Sequence, residues 1–100
     1  IKVIFVEPKV ISLAEIQIDN LAQADSVYNA LLSGADFTTL VLKYSISPTR
    51  KIKGYLGEVN IKHFSESISV ALSNLNEGEF TKPLGYGEHF IIFKRLKLYN

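Results

Sequence analysis

Arg50, Lys51 and Lys53 put three positive charges into four positions, and Gly54-Tyr55-Leu56-Gly57 follows them directly. Cations beside a glycine-rich loop raise the question of phosphate binding, because backbone N–H groups in such loops can cradle an anion. The spacing G-x-x-x-x-G-K-[ST] is missing, so "KGYLG" is not a P-loop. The bland reading is a solvated turn, since a few exposed charges attract only weakly through salt. Other chemistry is sparse. His63 and His89 are the only histidines, far apart and without acidic residues close in sequence, so no metal site is expected. The chain has no cysteine, which excludes disulfides and thiolate ligands. A hydrolytic triad has no nucleophile-elbow motif to carry it.

The elements that would position these residues follow from periodicity. Residues 10–18, "VISLAEIQI", alternate from Ala14 onward. Ala14, Ile16 and Ile18 point one way, and Leu13, Glu15 and Gln17 the other, which predicts a strand with one core face and one more polar face. Asn20 can cap a helix, with Gln23 three residues later. Ala24, Val27, Tyr28, Leu31 and Leu32 then form one helical face, and Gly34 is its stop. Asp36 can cap a second helix carrying Phe37, Leu40, Val41 and Tyr44. Residues 45–53 read as a polar loop, 55–59 as a short strand, and Ser65 as the cap of a third helix with Ile68, Ala71, Leu72 and Leu75 on its apolar face. Phe80 is expected to begin a strand, 83–88 to make a Gly-rich turn, and "HFIIFKRLKL" to form the last strand. The fold class is α+β with a small, largely antiparallel sheet.

Composition narrows the partners. One hundred residues, 47% hydrophobic, suffice for one domain with a modest core. A net charge of +1 argues against a dedicated nucleic-acid or membrane-surface binder. No 18-residue apolar run marks a membrane span. Ile1 to Val6 is too short and too weakly flanked for a signal peptide. Residues 1–9 read as an N-terminal extension or a tether to a neighbouring domain, and 10–100 as the domain proper, cut from a longer or processed protein.

Whole-segment spacing says more. Gly34, Phe37, Leu40, Tyr44 and Ser45 lead into Gly54, Leu56 and Gly57. Leu75, Gly78, Glu79, Pro83, Gly87 and His89 follow in order. No one piece is specific, but their order and spacing resemble the parvulin family of peptidyl-prolyl isomerases from about Ile11 to Leu96. The resemblance implies a four-stranded, largely antiparallel sheet surrounded by about three to four helices. It also implies catalysis of X-Pro rotation, whose barrier is about 18–20 kcal/mol. Such a site needs no cofactor or metal. It grips the proline ring in an apolar pocket while polar groups favour the twisted amide.

Carried over residue by residue, the family's first-strand histidine falls on Glu15. Its acid or thiol falls on Ser47, and its polar-floor Ser or Thr on Tyr86. His89 matches intact. The apolar pocket falls on Leu56, Phe64 and Ile68. Lys53, Gly54 and Tyr55 stand where the family has Gly-Gly-Asp. The resemblance thus implies catalytic candidates His89, Glu15, Ser47 and Tyr86, and substrate-binding candidates Leu56, Phe64 and Ile68. Glu15 and His89 are expected to face each other across neighbouring strands, a pairing that would favour imidazolium. The implied partners are unfolded or proline-containing polypeptides and flanking domains of the same chain, with neither nucleic acid nor metal. The family also implies an extracytoplasmic setting, periplasmic or at the cell envelope. Two functional readings stand: a weakly active isomerase-like foldase domain, and an inactive parvulin domain serving as a peptide-binding chaperone or scaffolding module.

Overall fold

A computed structural model describes residues 10–97. The expected extension at 1–9 lies outside the described residues. In chain order the elements are β1 (Val10–Ile18), α1 (Leu21–Leu32), α2 (Phe37–Tyr44), β2 (Tyr55–Asn60), α3 (Glu66–Ser73), β3 (Leu84–Tyr86) and β4 (His89–Leu96). Short 3-10 turns occupy Pro48–Ile52 and Ile61–His63. The strands form one sheet in the order β2-β1-β4-β3, with every neighbouring pair antiparallel.

The helix starts follow their capping residues. Asn20 Oδ1 accepts from the Gln23 N–H at 2.8 Å, and Asp36 Oδ2 from the Thr39 N–H at 3.0 Å. Ser65 Oγ accepts from the Ile68 N–H at 3.4 Å. These bonds satisfy N–H groups that have no partner within the helix. α1 ends in a Schellman pattern, in which the Gly34 and Ala35 N–H groups bond the carbonyls of Leu31 and Ala30. Leu32, read as part of the buried face, is 61% exposed. It lies past the stripe that Ala24, Val27 and Leu31 turn to the sheet.

β1 is buried on both faces. Ala14, Ile16 and Ile18 pack with Ile92 against Ala24, Val27 and Leu31 of α1 and Phe37, Leu40 and Val41 of α2. Ile11 and Leu13 pack on the other side with Ile91 and Phe93 against Ile68 and Leu72 of α3. The polar face expected for β1 is therefore covered. A central strand between two helical layers has no solvent side, and its alternation records which layer each residue meets.

Two strands differ from expectation. Phe80 makes only an isolated bridge with Lys94. Beside it, the Thr81 hydroxyl rather than its carbonyl takes the Phe93 N–H, at 3.1 Å, and Pro83 has no N–H to continue a ladder. β3 instead forms inside the expected Gly-rich turn. Gly87 and Glu88 are the two-residue connection to β4, and Gly87 has φ +61°. Positive φ at the first central residue is the type II′ geometry that suits the right-handed twist of a hairpin.

The Asp36 cap gives a pH-dependent expectation. The Thr39 N–H, followed by the Thr39 hydroxyl, holds the Asp36 carboxyl below the ordinary aspartate range, with a smaller pull from Lys94. A depressed folded-state pKa stabilises above the unfolded value, and that contribution is lost as pH falls through the folded value. Asp36→Ala should lower Tm by a few degrees near neutral pH. The gap to the parent should narrow as pH falls through and below the ordinary aspartate range, read by thermal unfolding across an acid series.

Candidate functional site

The site is built where β1 outlasts β2. Their register runs from Val10 opposite Asn60 to Ala14 opposite Tyr55, with an irregularity between Leu13 and Ala14. Beyond that point the segment 45–54 takes over the same edge. The Glu15 N–H donates to the Gly54 carbonyl at 2.8 Å. The Gln17 carbonyl accepts from the Ile46 N–H at 2.8 Å, and the Gln17 N–H donates to Ser45 Oγ at 3.1 Å. The loop substitutes for a missing strand, as buried backbone groups demand. Gly54 allows the close approach: its φ is +78°, and a Cβ there would run into the Glu15 carbonyl oxygen.

This docking brings a polar cluster together. Glu15 is 3% exposed. Its Oε2 accepts from Ser47 Oγ at 2.8 Å and from Thr49 Oγ1 at 2.7 Å, and its Oε1 accepts from Gln17 Nε2 at 3.0 Å. A carboxylate out of water costs several kcal/mol unless donors replace its hydration, and here two hydroxyls and one amide do so. Ser47 Oγ also accepts from the Thr49 N–H at 3.3 Å, capping the 3-10 turn that starts at Pro48. Of the carried-over polar residues, the structure thus brings Glu15 and Ser47 into contact.

His89 and Tyr86 form a second group at the hairpin, cross-strand neighbours at the start of β4 and the end of β3. The His89 side chain is 43% exposed. Its Nδ1 is buried without a hydrogen-bond partner and sits 3.6 Å from Asp19 Oδ1, beyond hydrogen-bond reach. The expected Glu15–His89 pairing is not found. The register sets Glu15 opposite Phe93 and Gln17 opposite Ile91. His89 lies four residues before Phe93 on β4, about 13 Å along the strand at ~3.3 Å per residue. Gln17 occupies the rung between the two groups.

The apolar candidates converge on the same sheet face. Ile68 is buried, and Leu56 and Phe64 are half-buried against Leu13, Ile91 and Phe93. The Phe64 and Phe93 rings meet edge to face, 5.3 Å between centroids. Leu13, Glu15 and Gln17 alternate onto one face of β1, so the apolar wall and the buried carboxylate are neighbours. Thr49 is the participant that sequence reading missed. Nothing in "SPTRK" distinguishes its hydroxyl from any loop threonine. Asp19 was also missed, although the alternation of 15, 17 and 19 could have placed it. Among the described residues, no three His, Cys, Asp or Glu side chains group as metal ligands.

A family model described as the PPIC-type PPIase (rotamase) domain matches residues 4–97. The chain belongs to this family. The peptidylprolyl isomerase PrsA from Bacillus cereus is a similar solved structure, with a TM-score of 0.83 at 22% identity over 91% of this chain and 36% of that one. PrsA from Bacillus subtilis gives 0.80 at 24% identity over 89% and 35%. The parvulin of Nitrosopumilus maritimus gives 0.73 at 25% identity over 88% and 96%. This rotamase domain therefore spans about a third of the PrsA chains and nearly all of the parvulin. No curated protein matches the sequence at a significant level.

Two substitutions test the architecture of the site. Thr49→Val keeps the shape but removes one donor from a buried carboxylate, and urea unfolding should show a loss of about 1–3 kcal/mol. Gly54→Ala must move the loop off β1, and the same measurement should show a loss of about 2–4 kcal/mol.

Proposed function

We propose that the domain binds X-Pro segments of unfolded polypeptides and isomerises them weakly, as an isomerase-like foldase domain of a larger protein. The observation that carries this reading is the shared sheet face. Half-buried Leu56 and Phe64, backed by Ile68, form an apolar wall for a proline ring, directly beside the polar group of Glu15, Ser47 and Thr49. Burial of a ring needs only shape and apolar surface, whereas rate enhancement needs groups that favour the twisted amide over the planar one. Ser47 and Thr49 both donate into Glu15, so their protons are engaged within the protein. The half-exposed His89 imidazole lies at the hairpin, with Tyr86 beside it and Asp19 near its Nδ1. Binding without strong turnover is the result this arrangement favours.

The same occupancy of the hydroxyls favours a second reading, a binding module with no turnover. The proposal extends to an extracytoplasmic setting, supported by the likeness to PrsA and PpiD, and cell fractionation checks it.

An NMR exchange measurement on an X-Pro peptide, paired with chemical-shift mapping, separates the readings. Acceleration that falls severalfold in His89→Ala supports weak catalysis. Shifts at Leu56, Phe64 and Ile68 without acceleration support binding alone. Leu56→Ala should weaken binding in either case, and the absence of both shifts and acceleration would refute both.

A further inference from the structure

The basic run remains outside this account, and its surroundings give it a role. A groove of about 700 Å³ opens on the outer side of the docking loop, lined by Leu42, Ile46, Ser47, Pro48, Arg50 and Lys51 among others. Leu42 and Ile46 are about half exposed and share the groove, giving it two apolar side chains that water still reaches. No acidic side chain lines the groove among the described residues. Ser47 lines it and also donates to Glu15, so one residue is common to the groove and the buried polar cluster.

Arg50 is pre-set for a ligand. Its Nε donates to the Leu42 carbonyl at 2.7 Å, which tethers the guanidinium beside the apolar lining of the groove. The 3-10 turn that carries Arg50 and Lys51 is stiffened by Pro48 at its start and capped by Ser47. A cation held in place by the fold loses less side-chain freedom when it binds a carboxylate.

We propose that this groove is a specificity subsite for the substrate polypeptide: it takes an acidic residue, next to an apolar one, lying a few residues from the proline. This rests on the prolyl-binding reading above. The apolar neighbour lies on Leu42 and Ile46, and the carboxylate meets Arg50 and Lys51. The domain thereby selects acidic-apolar segments around X-Pro rather than any proline.

The test uses three peptides with a common Ala-Pro-Phe centre, carrying Glu, Gln or Lys beside a leucine two to four residues from the proline. Binding is followed by NMR titration at low and high salt. The Glu peptide should bind roughly three- to tenfold tighter than the Gln peptide, as expected for two exposed charge contacts, with the Lys peptide weakest. Its shifts should extend to Leu42 and Ile46, and the preference should shrink with salt. Lys51→Glu, which leaves the Arg50 and Ser47 hydrogen bonds in place, should abolish or reverse the preference while the Gln peptide binds as before. Arg50→Gln should reduce it. Equal binding of all three peptides by the parent domain, or an unchanged preference in Lys51→Glu, overturns the subsite and leaves the prolyl reading standing. Binding of none of the peptides overturns both. If inorganic phosphate shifts Arg50 and Lys51 and the Glu peptide cannot displace it, the groove is an anion site and the proposal is wrong.

Discussion

The structure depends on the need to satisfy the backbone of β1 along both edges at once. β1 is the second strand of a four-stranded sheet and is buried on both faces, so water cannot complete its hydrogen bonds. β4 serves one edge from Ser12 to Ile18. β2 serves the other only to Ala14, and residues 45–54 supply the remainder. That segment also carries Ser47 and Thr49, so the solution to a backbone problem is what assembles the polar cluster. Gly54 is the joint between the two, because a larger residue could not come so close to β1.

The buried carboxylate shows how one substitution alters a site without altering its frame. A glutamate at position 15 brings a charge into a dry layer and must be solvated by the protein. Ser47, Thr49 and Gln17 do this. Donors that stabilise Glu15 are not available to stabilise anything else. The apolar wall is untouched by that demand, since Leu56, Phe64 and Ile68 are held by packing against Phe93 and its neighbours. The two halves of the proposed site can therefore diverge, the apolar packing staying in place while the polar half commits its groups to an internal partner.

Much of the frame was legible in the sequence. Asn20, Asp36 and Ser65 announce three helices through capping chemistry, which is local, and the structure shows each accepting the bond foreseen. Ala14, Ile16 and Ile18 named a core face correctly. What could not be read was set by distant partners. Glu15 looked like the polar side of a half-exposed strand, but the docking loop comes from far along the chain to cover it. Thr49 has no local signature because its role is defined by a residue 34 positions away. The Glu15–His89 pairing failed on register, which shared strand faces alone do not fix.

The pairing of β1 with β4 also sets an order of events. Ser12 meets Leu96 and Ile18 meets Phe90, so the first strand of the described chain finds one of its two neighbours only when nearly all of that chain is present. Until then its apolar residues lack half of each core layer, and one edge stands open to strands of other molecules. Such long-range closure slows folding relative to helical bundles of the same size. The β1–β2 pairing and the loop that completes it close over shorter distances and can form first. The domain thus passes through an aggregation-exposed state, protected on one edge of its central strand before the other.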